Sequence, residues 1–180
     1  ESMPSEGTIR CHSWHPNGES TVALSSACPD PTAILIYSID IIDDDGPSGY
    51  KLLHTLNGHD GHVLSLDWSA VSQQGKAGGK TSSKSDNEGT IVSCGEDCNA
   101  FVWSYDASLS QWSQTTVVLG ATLAPLQCSW DPTGSRFAVA GGGDRTVAVC
   151  HYDSELRWWA CWHFGRSRHK SVVACVAWHP

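Results

Sequence analysis

The sequence has few charged residues and no excess of positive ones. Charged residues make up 17% of its 180 positions, and the formal net charge is −8. A broad nucleic-acid footprint needs clustered lysine and arginine, so this balance argues against a protein that binds nucleic acid. With 40% hydrophobic residues, the chain also differs in composition from a disordered protein.

Long apolar stretches are also missing. No run approaches the roughly 18 residues that can cross a bilayer, and no short apolar signal region stands near the beginning. We therefore expect no insertion into a membrane. Without a secretory signal, the eight cysteines are expected to be free thiols in a reducing compartment.

Motifs for catalysis or metal binding do not stand out. We find no phosphate loop, nucleophile elbow or carboxylate pair. The spacing of Cys94 and Cys98, and that of the cysteines and histidines within 150–163, does not repeat the paired short spacings of a structural zinc site. We expect no enzyme activity, no catalytic residue, no cofactor and no metal.

Tryptophan is abundant, with nine residues, and four of them end alternating apolar runs. These four anchor residues are Trp14, Trp68, Trp130 and Trp178. They are separated by 54, 62 and 48 residues. A spacing of this size marks an array of supersecondary units that cannot bury their apolar faces alone, which indicates a scaffold rather than an enzyme.

Short runs rich in β-branched and aromatic residues fill the space between the anchors, and Gly, Asn, Asp and Pro turns bound them. We find no convincing amphipathic helix, so the predicted fold class is all-β. Each unit holds four strand signals, which predicts an antiparallel propeller blade. Outer strands are expected near Tyr50–Leu56, Trp112–Leu119 and Arg157–Phe164.

The predicted domain is one partial propeller over residues 1–180. Its blades are expected at about 8–56, 59–119 and 122–164, with the first strand of a fourth blade at about 169–180. Residues 71–89 are polar and low in complexity, which predicts a flexible insertion in the second blade. Since propellers have about four to eight blades, three cannot close a ring, and we expect a piece of a longer protein.

The second unit carries the clearest motif. It opens with Gly58-His59, turns at Gly95-Glu-Asp97 and ends with Ala100-Phe-Val-Trp103-Ser104. This pattern resembles a WD40 repeat. The resemblance implies a structural hydrogen-bond network of four side chains, at positions His59, Ser93, Asp97 and Trp103. In the third unit Ala121 stands at the position of the histidine, with Asp144 and Cys150 at those of the aspartate and tryptophan.

A catalytic triad built from the same His, Asp and Ser is the alternative interpretation of this motif. It is disfavoured because Ser93 falls within a buried strand and not on an exposed elbow.

Further segments narrow the resemblance. The runs Cys94–Trp103, Trp158-Trp-Ala-Cys161 and Ser171–Pro180 are similar to the WD-repeat subunit family (subunit 1) of the actin-related protein 2/3 complex. The resemblance implies a seven-bladed, non-catalytic scaffold in the cytoplasmic actin cytoskeleton that supports nucleation of branched actin filaments. Implied partners are the other subunits of that complex, the actin filament and nucleation-promoting factors. A WD40 adaptor of another assembly, such as a coat or a ubiquitin-ligase substrate receptor, is the alternative.

Two groups of residues are candidate partner contacts. Trp158, Trp159 and Trp162 lie on the third predicted outer strand, where alternation sends Trp158 and Trp162 to one face and Trp159 to the other. Packing between blades is the alternative for these side chains. Arg166, Arg168 and Lys170 form the strongest basic patch of the chain, for which a solvated loop is the alternative.

Overall fold

A computed structural model describes residues 8–18, 20–27, 29–42, 46–69, 89–164 and 169–180. The insertion expected at 71–89, apart from Gly89, and the candidate contacts Arg166 and Arg168 lie outside these residues. The described residues form β-strands and turns without a helix, which confirms the predicted fold class, and none could span a membrane as a helix. The described part of the chain contains twelve strands: β1 Ile9–Trp14, β2 Thr21–Ser26, β3 Ile34–Ile42, β4 Gly46–Leu56, β5 Val63–Ser69, β6 Thr90–Gly95, β7 Ala100–Asp106, β8 Gln111–Val117, β9 Gln127–Trp130, β10 Arg136–Ala140, β11 Val147–Asp153 and β12 Trp158–Phe164.

The strands form three antiparallel sheets of four, which we call blade 1 (β1–β4), blade 2 (β5–β8) and blade 3 (β9–β12). In each blade the spatial order of the strands follows their order along the chain. The first strands of neighbouring blades contact each other, so β1, β5 and β9 are the inner strands. The arrangement is a partial β-propeller, as predicted.

Most of the apolar core lies between the blades, and a smaller cluster of Val22, Leu24 and Tyr37 lies within blade 1. Ile34, Ile36 and Leu56 of blade 1 pack with the blade 2 residues Trp68 and Ile91. A second cluster joins the opposite face of blade 2 to blade 3 in the same way; it includes Val92, Val102, Val117, Trp130, Phe137 and Trp159. Each sheet is therefore stabilised by its neighbour, as repeat arrays require.

Two kinds of hairpin turn recur in blades 2 and 3. Cys98 and Arg145 have φ values of 62° and 58° at matching positions before the third strand, and Ser110 and Arg157 have 51° and 54° before the fourth. Left-handed backbone is uncommon for residues with a side chain, so its recurrence marks a shared turn geometry. In the turn before β8, Asp106 Oδ1 accepts a hydrogen bond from the amide of Ser108 at 2.9 Å. In the turn before β12, Asp153 Oδ1 accepts one from the amide of Glu155 at 2.9 Å.

Residues 169–180, where the sequence predicts the first strand of a fourth blade, do not form a strand in this structure. Their only bridge among the described residues joins Val173 to Gly142. They meet blade 3 mainly through side-chain bonds: Val176 N donates to Gln127 Oε1 at 2.6 Å and Trp178 Nε1 donates to Ser129 O at 2.9 Å. A strand needs a continuous backbone partner, and these contacts do not supply one.

Candidate functional site

The four residues of the WD40 motif lie in one chain of hydrogen bonds in blade 2. His59 Nδ1 is 2.8 Å from Asp97 Oδ2, and His59 Nε2 is 2.8 Å from Ser93 Oγ. Trp103 Nε1 donates to Ser93 Oγ at 2.9 Å. Because a carboxylate only accepts, Nδ1 carries the imidazole proton and the Ser93 hydroxyl donates to Nε2. Every polar side-chain atom of His59, Ser93 and Trp103 therefore has a hydrogen-bond partner.

Burial and the surrounding turn fix this network. The His59 side chain is 0% exposed and Asp97 is 8% exposed. Asp97 also accepts the amides of Asp60 and Asn99, each at 3.1 Å. Ser93 is fully buried and its hydroxyl is committed to His59. Ser93 therefore lacks the exposed position that a nucleophilic serine needs.

The stability of the fold is expected to fall on acidification through His59. Burial lowers the pKa of this imidazole below its ordinary 6.5, and the neighbouring Asp97 only partly offsets that effect. In the window between the lowered pKa and 6.5, the unfolded chain binds more protons than the folded one, so stability is lost as pH falls through that window.

Denaturant unfolding measured from pH 7.5 down to pH 5 checks this expectation. His59→Gln should remove this part of the pH dependence. The exposed His169→Gln is the matched control and should leave the slope unchanged. Equal slopes in the wild type and His59→Gln would contradict the assignment.

Blade 3 replaces the histidine by backbone and hydroxyl donors. Ala121, at the position matched to His59, has no polar side chain. Asp144 instead accepts the amides of Thr122 and Leu123 at 2.8 and 3.0 Å and the Thr122 hydroxyl at 2.5 Å. The turn aspartate therefore still fastens the loop that precedes the blade, with no buried ring.

The expectation that the cysteines are free thiols is wrong for one pair. Cys150, which replaces the motif tryptophan in blade 3, forms a disulfide with Cys161. The two residues lie directly opposite each other on β11 and β12, with Cα atoms 4.2 Å apart. Among the other described cysteines the thiols are free; these are Cys11, Cys94, Cys98, Cys128 and Cys175.

Side chains of each inner strand accept backbone amides of the next, which the sequence did not lead us to expect. Ser13 Oγ accepts the Trp68 amide at 3.1 Å, and Asp67 Oδ2 accepts the Trp130 amide at 2.8 Å. Ser13 and Asp67 hold the same position, one before the anchor tryptophan of their own blade. We call these bonds the inner-strand staples.

A second row of staples lies two residues earlier in β5 and β9. Ser65 Oγ accepts the Cys128 amide at 3.2 Å, and Gln127 Oε1 accepts the Val176 amide at 2.6 Å. Among the described residues no backbone ladder joins the inner strands of neighbouring blades, so side-chain oxygens satisfy amides that would otherwise be orphaned. The staples fix the position of each inner strand relative to the next along the strand direction.

Asp67 has the most contacts of any staple. Besides the Trp130 amide, its carboxylate accepts the hydroxyls of Ser13 and Ser129, at 3.4 and 3.2 Å. Burial raises the pKa of this carboxyl above its ordinary 3.8, and the hydrogen bonds from Trp130, Ser129, Trp68 and Ser13 oppose that rise without cancelling it. One side chain thus connects three blades.

Trp159 is placed wrongly among the predicted partner contacts. Its side chain is only 3% exposed, since it lies on the inward face of β12. The ring packs against Trp130 and Phe137, with centroids 5.9 and 5.1 Å away, in the core between blades 2 and 3. The alternative of blade packing applies to this residue.

The other two tryptophans and the lysine are at the surface. Trp158 and Trp162 are 49% and 64% exposed on the opposite face of β12. The ring of Trp162 touches only His151 among the aromatic residues described, at 5.2 Å between centroids. Lys170 is exposed. The described residues contain no group of three or more potential metal ligands.

Comparison with known proteins agrees with this geometry. Residues 50–104 match the family described as WD domain, G-beta repeat, and this segment contains the whole His59 network. The chain therefore contains a WD40 repeat. Over 173 residues it is 34% identical to actin-related protein 2/3 complex subunit 1A of Arabidopsis thaliana, a match that covers 96% of this chain.

The chain is also similar to two further proteins. It is 33% identical over 172 residues to actin-related protein 2/3 complex subunit 1A-B of Xenopus laevis, again over 96% of the chain. The chain spans only 38% of the length of the Arabidopsis and Xenopus proteins. A shorter match, 36% over 76 residues, relates it to protein transport protein SEC13 of Scheffersomyces stipitis and covers 42% of the chain. The predicted relationship to subunit 1 proteins is confirmed.

Proposed function

We propose that the protein is a non-catalytic scaffold subunit of the actin-related protein 2/3 complex, supporting nucleation of branched actin filaments in the cytoplasm. The observation that carries the proposal is the similarity to subunit 1 proteins over 96% of the chain. Its partners would be the other subunits, the actin filament and nucleation-promoting factors. A seven-bladed ring in the full-length protein is part of the proposal.

The disposition of polar groups supports a scaffold role. The His59 network and the inner-strand staples use their hydrogen-bonding atoms inside and between blades. Large aromatic side chains, by contrast, stand exposed on the outer strand of blade 3. In such a fold the buried polar groups stabilise the structure, and the exposed aromatic side chains are available for contact with another protein.

Affinity purification of the full-length gene product from its own cells tests the proposal. A tagged protein should recover actin-related proteins 2 and 3 in stoichiometric amounts. Depleting it should reduce branch density in an actin polymerisation assay, and adding back the wild-type protein should restore it. Recovery of neither actin-related protein would overturn the assignment.

A second candidate is an adaptor in another assembly, such as a vesicle coat. The match to protein transport protein SEC13 favours it, although it covers a smaller share of the chain. The same purification separates the two candidates, because a transport adaptor would recover coat proteins and leave branching unchanged on depletion.

A further inference from the structure

We infer that β12 is a strand-addition site, at which an extended segment of a partner chain pairs with the free edge of blade 3. Trp158 and Trp162 would flank that segment on one face. The inference rests on the proposed membership of an assembly and adds where and how a partner is held. Strand addition combines main-chain hydrogen bonds with pockets for alternate side chains.

Within the part of the chain that the structure describes, one side of the β12 backbone has no strand partner. β12 is the last strand of its sheet there and pairs only with β11. Cys150 and Cys161 have Cα atoms 4.2 Å apart, a separation typical of a non-hydrogen-bonded antiparallel pair. Since the two kinds of pair alternate, the amides and carbonyls of Trp159, Cys161 and His163 point away from β11, toward the open edge.

This edge lacks the features that usually protect an outer strand from pairing. Such strands are blunted by charged residues, proline or bulges. β4 carries Lys51 and Pro47 and shows two irregularities in its register with β3. β12 has no charge, no proline and an uninterrupted register over seven residues. Its edge is therefore open to another strand.

Packing of a further blade does not account for the two exposed tryptophans. By register, Trp158 and Trp162 of β12 correspond to Gln111 and Thr115 of β8. Both β8 residues stay exposed although blade 3 is packed on blade 2.

Phe164 behaves differently. It corresponds to Val117, which that packing buries completely. We therefore assign Phe164 to blade packing and the two tryptophans to a partner.

The side chains on and around β12 define the occupant further. Charge next to the strand is mixed, because Arg157 and Lys170 are exposed while Asp153 lies opposite Trp158 and Glu155 is exposed in the hairpin before β12. Trp158 and Trp162 are large exposed groups on one face. The segment that fits is thus an extended strand of a partner chain with apolar side chains at alternate positions.

Hydrogen exchange in the purified native assembly tests the pairing directly. The amides of Trp159, Cys161 and His163 should exchange about 100-fold more slowly than the matching β8 amides of Trp112, Gln114 and Thr116. Equal exchange at the two edges would overturn the inference. Failure to recover any assembly would instead count against the proposed function.

Two pairs of variants of the full-length protein complete the test. Trp158→Gln with Trp162→Thr copies residues that β8 already carries, and should reduce retention in the assembly at least about tenfold. Gln111→Ala with Thr115→Ala is the matched control in β8 and should leave retention unchanged. Equal retention of the two double variants would overturn the role of the tryptophans.

Proline tests the backbone in the same way. His163→Pro removes one outward amide, where an edge strand tolerates proline, and should also reduce retention about tenfold. Thr116→Pro occupies the corresponding position of β8 and should not. Equal retention would overturn the inference, as would edge protection that rises with protein concentration, because that result identifies a second copy as the occupant.

Discussion

Trp159→Ala is expected to lower the free energy of unfolding by about 4 kcal/mol, the range of large aromatic truncations in a core. The ring is 3% exposed and packs against Trp130, Phe137 and Tyr152, so its loss leaves a cavity between blades 2 and 3. Urea unfolding of the full-length protein, followed by tryptophan fluorescence and circular dichroism, measures the effect.

The neighbouring tryptophan supplies the control. Trp158 is 49% exposed, so Trp158→Ala should cost less than about 1 kcal/mol of stability. If the two substitutions destabilise equally, the assignment of opposite faces of β12 is wrong. If Trp159→Ala leaves stability intact but lowers partner binding, Trp159 is a partner contact and not a core residue.

Asp67→Ala is expected to lower the free energy of unfolding by about 3 kcal/mol. The substitution strands the buried Trp130 amide, and it deprives the Ser13 and Ser129 hydroxyls of their acceptor. Each buried donor left without a partner costs about 1–3 kcal/mol. Denaturant unfolding measures the loss. Asp60→Ala is the control, because this exposed side chain should change stability by less than about 0.5 kcal/mol.

The pH profile separates the charge of Asp67 from its hydrogen bonds. Because the folded pKa lies above the ordinary 3.8, the folded chain binds more protons than the unfolded one between those values. Stability should therefore decline as pH rises through that window. Asp67→Asn should abolish this decline and keep part of the stapling. An unchanged profile in that variant would contradict the burial of a titrating carboxyl.

The sequence was sufficient for the repeat and for its clearest motif. Tryptophans at regular spacing, short β-branched runs and Gly/Asp turns depend on local chemistry, so they indicated four-stranded units without tertiary information. The outer strands Gln111–Val117 and Trp158–Phe164 begin within one residue of the expected positions. β4 begins at Gly46, four residues before the expected Tyr50, because Gly46 already pairs with Ile42 across the hairpin.

What escaped prediction depends on the register between strands or between blades. The local sequence does not reveal that Cys150 lies opposite Cys161, because a shift of one residue in the register between β11 and β12 would separate them. The staples were missed for the same reason. A signal was present: Ser13, Asp67 and Ser129, which precede three of the anchor tryptophans, all carry an oxygen, although Ala177 before the fourth does not.

The inner-strand staples give the joint between blades a direction. In the four staples the acceptor is a side chain of the earlier blade, and the donor is a main-chain amide of the next blade or, for Val176, of the segment that follows blade 3. Since every non-proline residue offers that amide, these bonds require no particular side chain on the later side of the joint. In evolutionary terms, the polar half of the joint survives replacement of the later unit by a duplicate, while the apolar half still requires side chains that fit.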